Sequence, residues 1–361
     1  MIKIPHQMAD YLCPVNGLCD IYEWKTGARI PEELLFFARP GFQMISQKRA
    51  VPPKMVFWGQ GSIGKDQFNY WKDLVGYHII AGEGKSYKST VANIKALVEQ
   101  KVPVVLFGLD MYHLPYHEHF YHTKHIPGHV VLMVGYDDRN VYVHDNSRPE
   151  IEMIPWGDLQ QAWAADYIGI SKRNAYFGID MQNPNRDISF IIQEGLKRNA
   201  ELYLNSPVNF IGEKGIERMM KELPAWNTMY DAETMKQICL HLIEFSGSTL
   251  PEIPEELSGI HSGVPNTYQG GRDKLAAALL KYQDTIGTAQ WSIAADTFQK
   301  SGLIIEAFIG ECVRDVLNTA FSAPQKYISL LKEIQKTESS AFRALETVKI
   351  PQRKKGMEQV L

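Results

Sequence analysis

The sequence predicts an α+β chain: helices near the N-terminus, an antiparallel sheet after them, and a second region made of helices alone. Three observations carry that expectation. Residues 14–37 place Val15, Leu18, Cys19 and Tyr22 at helical spacing, break at Gly27 and resume at Pro31. Two apolar runs, 104–109 and 129–136, are rich in valine and read as buried strands. From Ile188 onward, apolar positions recur every three or four residues.

In chain order, residues 14–37 give two helices around a turn. Residues 88–100 set Val91, Ile94, Leu97 and Val98 on one helical face, and Pro103 then opens the strand 104–109. The strand 129–136 is followed by Asp137, Asp138, Arg139 and Asn140, a hairpin turn, and by its antiparallel partner 141–145. Residues 158–165 read as a helix. The polar, proline-bearing stretch 171–187 reads as a boundary, dividing the chain into a sheet-bearing domain 1–175 and a helical domain 186–361. Helices are expected over 190–204, 215–223, 232–245, 274–282, 291–318 and 324–348. The long loop 246–271 is too rich in proline and glycine for regular structure, and the last ten residues should fray.

A chain of 361 residues can fill two cores, and a net charge of −3 gives no electrostatic reason to expect nucleic acid or an anionic membrane as partner. No basic-then-apolar leader and no long apolar span stands in it, which points to the cytoplasm. Four scattered cysteines, Cys13, Cys19, Cys239 and Cys312, fit free thiols better than disulfides or a zinc cluster.

One of those thiols stands where chemistry can use it. Cys13 precedes Pro14, a residue favoured in a first helical turn, so its sulfur meets the positive end of a helix dipole, which favours the thiolate. Gln7, six residues earlier, is a candidate oxyanion donor together with the Cys13 amide. His129 opens one strand of the hairpin and Asp145 closes the other, so the carboxylate can orient the imidazole. The order Gln, Cys, His, Asp in these settings predicts a papain-like cysteine enzyme with Cys13 as nucleophile, His129 as base and Asp145 as third member.

The residues CPVNGL from Cys13, LDMYHLPY over 109–116, GHVVLMVGYDD over 128–138 and VYVHD over 141–145 carry a resemblance to the N-terminal domain of BtrH-type proteins, named for the butirosin pathway. That domain is in turn similar to the cysteine peptidase domain of bacteriocin-exporting transporters. Through TYQGGR over 267–272, the second region resembles the helical domain that follows in this family. The resemblance implies an acyltransferase that passes an acyl group from a carrier-protein or pantetheine thioester to a small-molecule amine, with no cofactor. One departure is Leu12, where the family commonly has histidine. Two rivals remain: a cysteine peptidase or amidase using water, and a non-catalytic scaffold. A homo-oligomer is left open.

Other residues were weighed for the same site. Asp110 could hold an incoming ammonium, and Tyr112 and Tyr116 could line an acyl channel. Arg272, after Gly270 and Gly271, could bind the phosphate of a pantetheine arm, although such a pair is usually a helix entry. Six histidines fall within 113–129; with Pro115 and Pro127 among them, the tract reads as a solvated loop rather than a metal site. Residues 61–65 lack the spacing of a phosphate-binding loop.

Overall fold

The structure is a computed structural model, and it describes residues 1–9, 13–37, 42–45, 53–57, 66–167, 171–246, 269–321 and 324–346. The loop 246–271 lies almost wholly outside these, as do residues 61–65 and the last ten.

Helix α1 (Cys13–Thr26) is followed by α2 (Glu32–Phe37), and Gly27, at φ +77°, ends α1 by donating its N–H to the Glu23 carbonyl, as expected of a left-handed cap. A small antiparallel pair follows, β1 (Gln43–Ile45) with β2 (Lys54–Val56). Then come α3 (Asp66–Val75), β3 (His78–Gly82), α4 (Tyr87–Glu99), β4 (Val104–Leu109), β5 (His129–Tyr136), β6 (Asn140–His144), β7 (Glu152–Pro155), α5 (Trp156–Ala162) and β8 (Ala175–Asp180).

These build a six-stranded antiparallel sheet in the order β3-β8-β4-β5-β6-β7. Strands β4 and β5 are central because their valine-rich runs tolerate cover on both faces. A Cβ on Gly178 of β8 would strike Leu97 of α4, and the register puts Val104 and Met133 on that same face. A Cβ on Gly17 of α1 would lie 3.3 Å from the Leu132 Cβ, so α1 rides on the opposite face at a separation that only glycine permits comfortably.

The helical region comprises α6 (Ile188–Leu204), α7 (Gly212–Met229), α8 (Ala232–Ser246), α9 (Arg272–Tyr282), α10 (Gln290–Asn318) and α11 (Pro324–Glu346). Tyr203 of α6 stacks on Phe342 of α11, which meets Phe298 of α10 edge-on. Leu275, Ile305 and Leu331 are fully buried, as their periodicity predicts.

The division at 175 is corrected by β8, which lies inside the sheet between β3 and β4, so the first layer runs to residue 180. Its sequence, AYFGID, sits in a polar stretch that reads as linker, yet its pairing with β3 and β4 buries it. The two layers also interlock. The Met44 N–H donates to the Phe210 carbonyl, the Gly212 N–H donates to that of Phe42, and Phe57 packs edge-on against Phe308.

Candidate active site

Cys13 is the first residue of α1, where the N–H groups of the first turn have no partner within the helix. It is partly exposed, while Cys19, Cys239 and Cys312 are buried. Burial pushes the Cys19 and Cys312 thiols well above the ordinary range, which makes them poor nucleophiles.

The β5–β6 register pairs Leu132 with His144. The ladder ends there, and Asp145, the next residue after β6, lies beside the start of β5 where His129 stands. The side chains meet: His129 Nε2 lies 2.5 Å from Asp145 Oδ2, and the Cys13 side chain hydrogen-bonds the same ring. Burial pushes the imidazolium down, but the Asp145 charge, its hydrogen bond, and a hydrogen bond and charge from Cys13 outweigh it and raise His129 to about 10. Asp145 is fully buried, and although desolvation alone would raise it, the His129 charge and hydrogen bonds from His117 and His129 hold its carboxyl well below the usual range.

Residues 13–146 match the family model described as butirosin biosynthesis protein H, N-terminal. The N-terminal domain belongs to the BtrH family. Residues 157–247 match a second model, a domain of unknown function (DUF4872), which spans α5, β8 and the helices α6 to α8. No curated protein matches the chain closely enough to count as a relative.

Within the BtrH domain the buried carboxylate has more partners than the sequence reading assigned. The Tyr116 hydroxyl donates to Asp145 Oδ2 at 2.9 Å, and His117 Nε2 lies 3.2 Å from the same oxygen. The Ser147 N–H and hydroxyl donate to Oδ1 at 2.9 and 2.8 Å. His117 was missed. It is buried, burial holds its ring below the ordinary histidine value, and a neutral His117 serves Asp145 as a donor while His129 carries the charge. The signal was available in the density of histidines just after the tyrosine of LPYH.

Several expectations are corrected by these contacts. The tract 113–129 is not a solvated loop: it is a series of hydrogen-bonded turns whose His117 and His129 converge on one carboxylate. Tyr116 is partly buried, and its hydroxyl serves Asp145 rather than lining a channel. Asp110 is buried with its oxygens occupied: Oδ1 accepts the Tyr112 and Ile126 N–H groups, and Oδ2 faces His125 Nδ1 at 2.7 Å and the Tyr167 hydroxyl at 3.4 Å. Its carboxylate pins the loop after β4 and has no edge left for an ammonium. Gly108, at φ +81° in a β4 bulge, turns the chain into that loop. Tyr112 stacks on His125 at 4.1 Å, at the outer edge of the same loop.

Gln7 is also placed elsewhere. Its backbone carbonyl accepts from Asn16 near the start of α1, but its exposed amide is turned along the helix and donates to the Glu23 carboxylate at 3.2 Å, so it is not aimed at the Cys13 sulfur. Arg272 is 1% exposed and spends its donors on Glu338 at 2.5 Å and on the Phe57 and Gly270 carbonyls, which excludes it from phosphate binding.

On the α1 side of β6 a second cluster forms around Asp20. His6 Nδ1 lies 2.7 Å and His144 Nδ1 3.6 Å from Asp20 Oδ2, and Arg29 donates to Oδ1 at 2.8 Å. In this cluster, as in that of His117, His129 and Asp145, the donor atoms lie within 4.8 Å of one another. A metal ion in either would have to displace the hydrogen bonds that now join them.

Proposed function

We propose that the chain is a cysteine-dependent acyltransferase of natural-product biosynthesis, forming an amide from a carrier-protein or pantetheine thioester and a small-molecule amine. The observation that carries the reading is a partly exposed thiol at the start of a buried helix, beside an imidazole that a buried carboxylate holds in its charged form up to about 10. A helix-borne cysteine, a strand-borne histidine and an acidic residue on the next strand also support a papain-like fold. The family's link to butirosin biosynthesis supports acyl transfer.

In the first half-reaction the Cys13 thiolate attacks the thioester carbonyl. The Cys13 N–H, in the unpaired first turn of α1, is the donor we assign to the oxyanion, and His129 gives its Nδ1 proton to the departing thiol. The amine then attacks the acyl-enzyme carbonyl, His129 takes its proton, and the tetrahedral intermediate collapses to amide and thiolate. Asp145 keeps Nδ1 facing the sulfur in both halves. Thioester to amide is downhill, so the acyl donor supplies the driving force. None of the described helices is long and apolar enough to cross a membrane, which supports a cytoplasmic site of action.

The test is product analysis with an acyl-pantetheine thioester and a panel of amines. Amide formed faster than free acid, and lost in Cys13→Ala, is the expected result. Free acid as the main product across the panel would favour the amidase. Turnover persisting in Cys13→Ala would remove the cysteine mechanism altogether.

A further inference from the structure

Residues 1–9, ahead of the matched domain, reach the back of the site. The Ile2 N–H donates to the Val134 carbonyl, the Ala9 N–H to that of Asn146, and the Asn146 amide returns a bond to the Ala9 carbonyl. Between these ties stands His6, whose ring touches three oxygen acceptors. Nε2 lies 2.8 Å from the Arg148 carbonyl and 3.1 Å from the Asp145 carbonyl, and Nδ1 lies 2.7 Å from Asp20 Oδ2. Carbonyls cannot donate, and Asp20 is held as a carboxylate. Both ring nitrogens must therefore carry protons, and only the imidazolium satisfies all three contacts.

The surroundings are consistent with that charge. From α1 the ring faces Asp20, whose carboxyl is lowered: desolvation opposes this, but the nearby His144 ring and hydrogen bonds from His6 and Arg29 outweigh it. From β6 it faces the His144 ring, stacked at 4.4 Å, and from the following turn only carbonyls. Arg29, behind Asp20, also binds Glu23 at 3.0 Å and Glu32 at 2.9 Å, so acidic groups outnumber that guanidinium. The His6 pKa is raised from its ordinary value: burial works against the charge, and Asp20 and the two carbonyls overcome it.

We propose that His6 is a positioning residue for acyl transfer: as an imidazolium it ties the Asp145 backbone to Asp20 on α1, and so sets the carboxylate that orients His129. This rests on the reading of Cys13, His129 and Asp145 as a triad. Because α1 also carries Cys13 at its start, the tie fixes the nucleophile's helix and the base's anchor to one another. As pH rises through the raised His6 pKa, one ring proton leaves. The Asp20 carboxylate, the stronger acceptor, keeps that on Nδ1, so the bonds from Nε2 to the Asp145 and Arg148 carbonyls are lost and the Asp145 carboxylate loses its alignment.

The experiment uses the full chain. ¹⁵N NMR of the His6 ring across pH reports its protonation without any variant, and single-turnover acylation of Cys13 by the thioester is followed over the same range. The expected result is an imidazolium through neutral pH and a step in acylation rate at the His6 midpoint, apart from the His129 step near 10. In His6→Gln that step should vanish and kcat should fall about ten- to hundredfold with KM nearly unchanged, since a small misplacement of a catalytic group costs that much. A neutral His6 ring at neutral pH would overturn the proposal. So would a His6→Gln enzyme with the wild-type rate and pH profile. Should His6→Gln fail to fold, coincidence or separation of the two wild-type midpoints decides. Activity surviving in Cys13→Ala would show instead that the triad reading had failed, whatever the state of His6.

Discussion

Asp145 and Asp20 are both fully buried carboxylates facing two imidazoles, yet they serve opposite ends. They are fed from the end of one strand: His144 and Asp145 are consecutive, yet His144 faces Asp20 on α1 and Asp145 faces His129. What differs is the next neighbour. Asp20 has Arg29, a permanent cation that neutralises it whatever the pH. Among the described residues no guanidinium hydrogen-bonds Asp145, which draws its positive charge from His129, the group that in the proposed mechanism hands its proton on to sulfur. The same carboxylate–imidazole pair is a structural tie when an arginine closes it, and a proton relay when a thiol does.

Substitutions can break this contrast at graded strength. Cys13→Ala should abolish product, and iodoacetamide mapping by mass spectrometry should find Cys13 the only fast-labelling cysteine of the folded protein. Asp145→Asn removes the charge but keeps the shape, so kcat should fall by about 10³- to 10⁴-fold. The alkaline limb of its pH–rate profile should move down from about 10, because the charge that raises His129 is gone. Asp20→Asn should lower stability by about 1–3 kcal/mol in urea unfolding and lower kcat as His6→Gln does, since the His6 imidazolium loses its carboxylate while Arg29 keeps Glu23 and Glu32. His117→Gln and Tyr116→Phe each disturb one of three donors on Asp145 Oδ2 and should lower kcat by about tenfold. Gln7→Ala should change the rate by no more than about twofold, as for any surface position, because its amide lies at Glu23.

The pH dependence of stability sharpens the same contrast. The Asp145 carboxyl is held below its unfolded value, so its contribution is present above the usual carboxylate range and is lost as pH falls through its lowered folded value. His129 is raised, so its side of the same bond is fully present below about 6.5 and is lost as pH rises through about 10. Urea midpoints should therefore decline at both extremes, and Asp145→Asn should flatten both limbs.

His129 and Asp145 were legible because a short hairpin turn is a local rule, and it brings the start of one strand and the end of the next side by side, sixteen residues apart. Cys13 was legible because helix starts have a local signature. Gln7 was not, because spacing says how far a side chain can reach and not which partner captures it; Glu23 does. Arg272 was misread for a longer-range reason: its partner Glu338 is 66 residues away, and nothing near Gly270 announces the burial. Asp110 looked available because its acceptors are filled by backbone N–H groups of a loop whose path the sequence does not reveal. Strand β8 was hidden by its polar flanks, since a strand enclosed by its neighbours needs no alternation of its own.

That strand also sets the timetable of folding. Strand β3 pairs only with β8, so residues 78–82 must wait about a hundred residues for their partner to leave the ribosome, and until then β4 presents an open edge. A polypeptide stopped at residue 146, where the family match ends, would already hold Cys13, His129 and Asp145. It would lack the strands that close the sheet on both sides, and the nascent chain would hold its reactive groups before it held a finished fold.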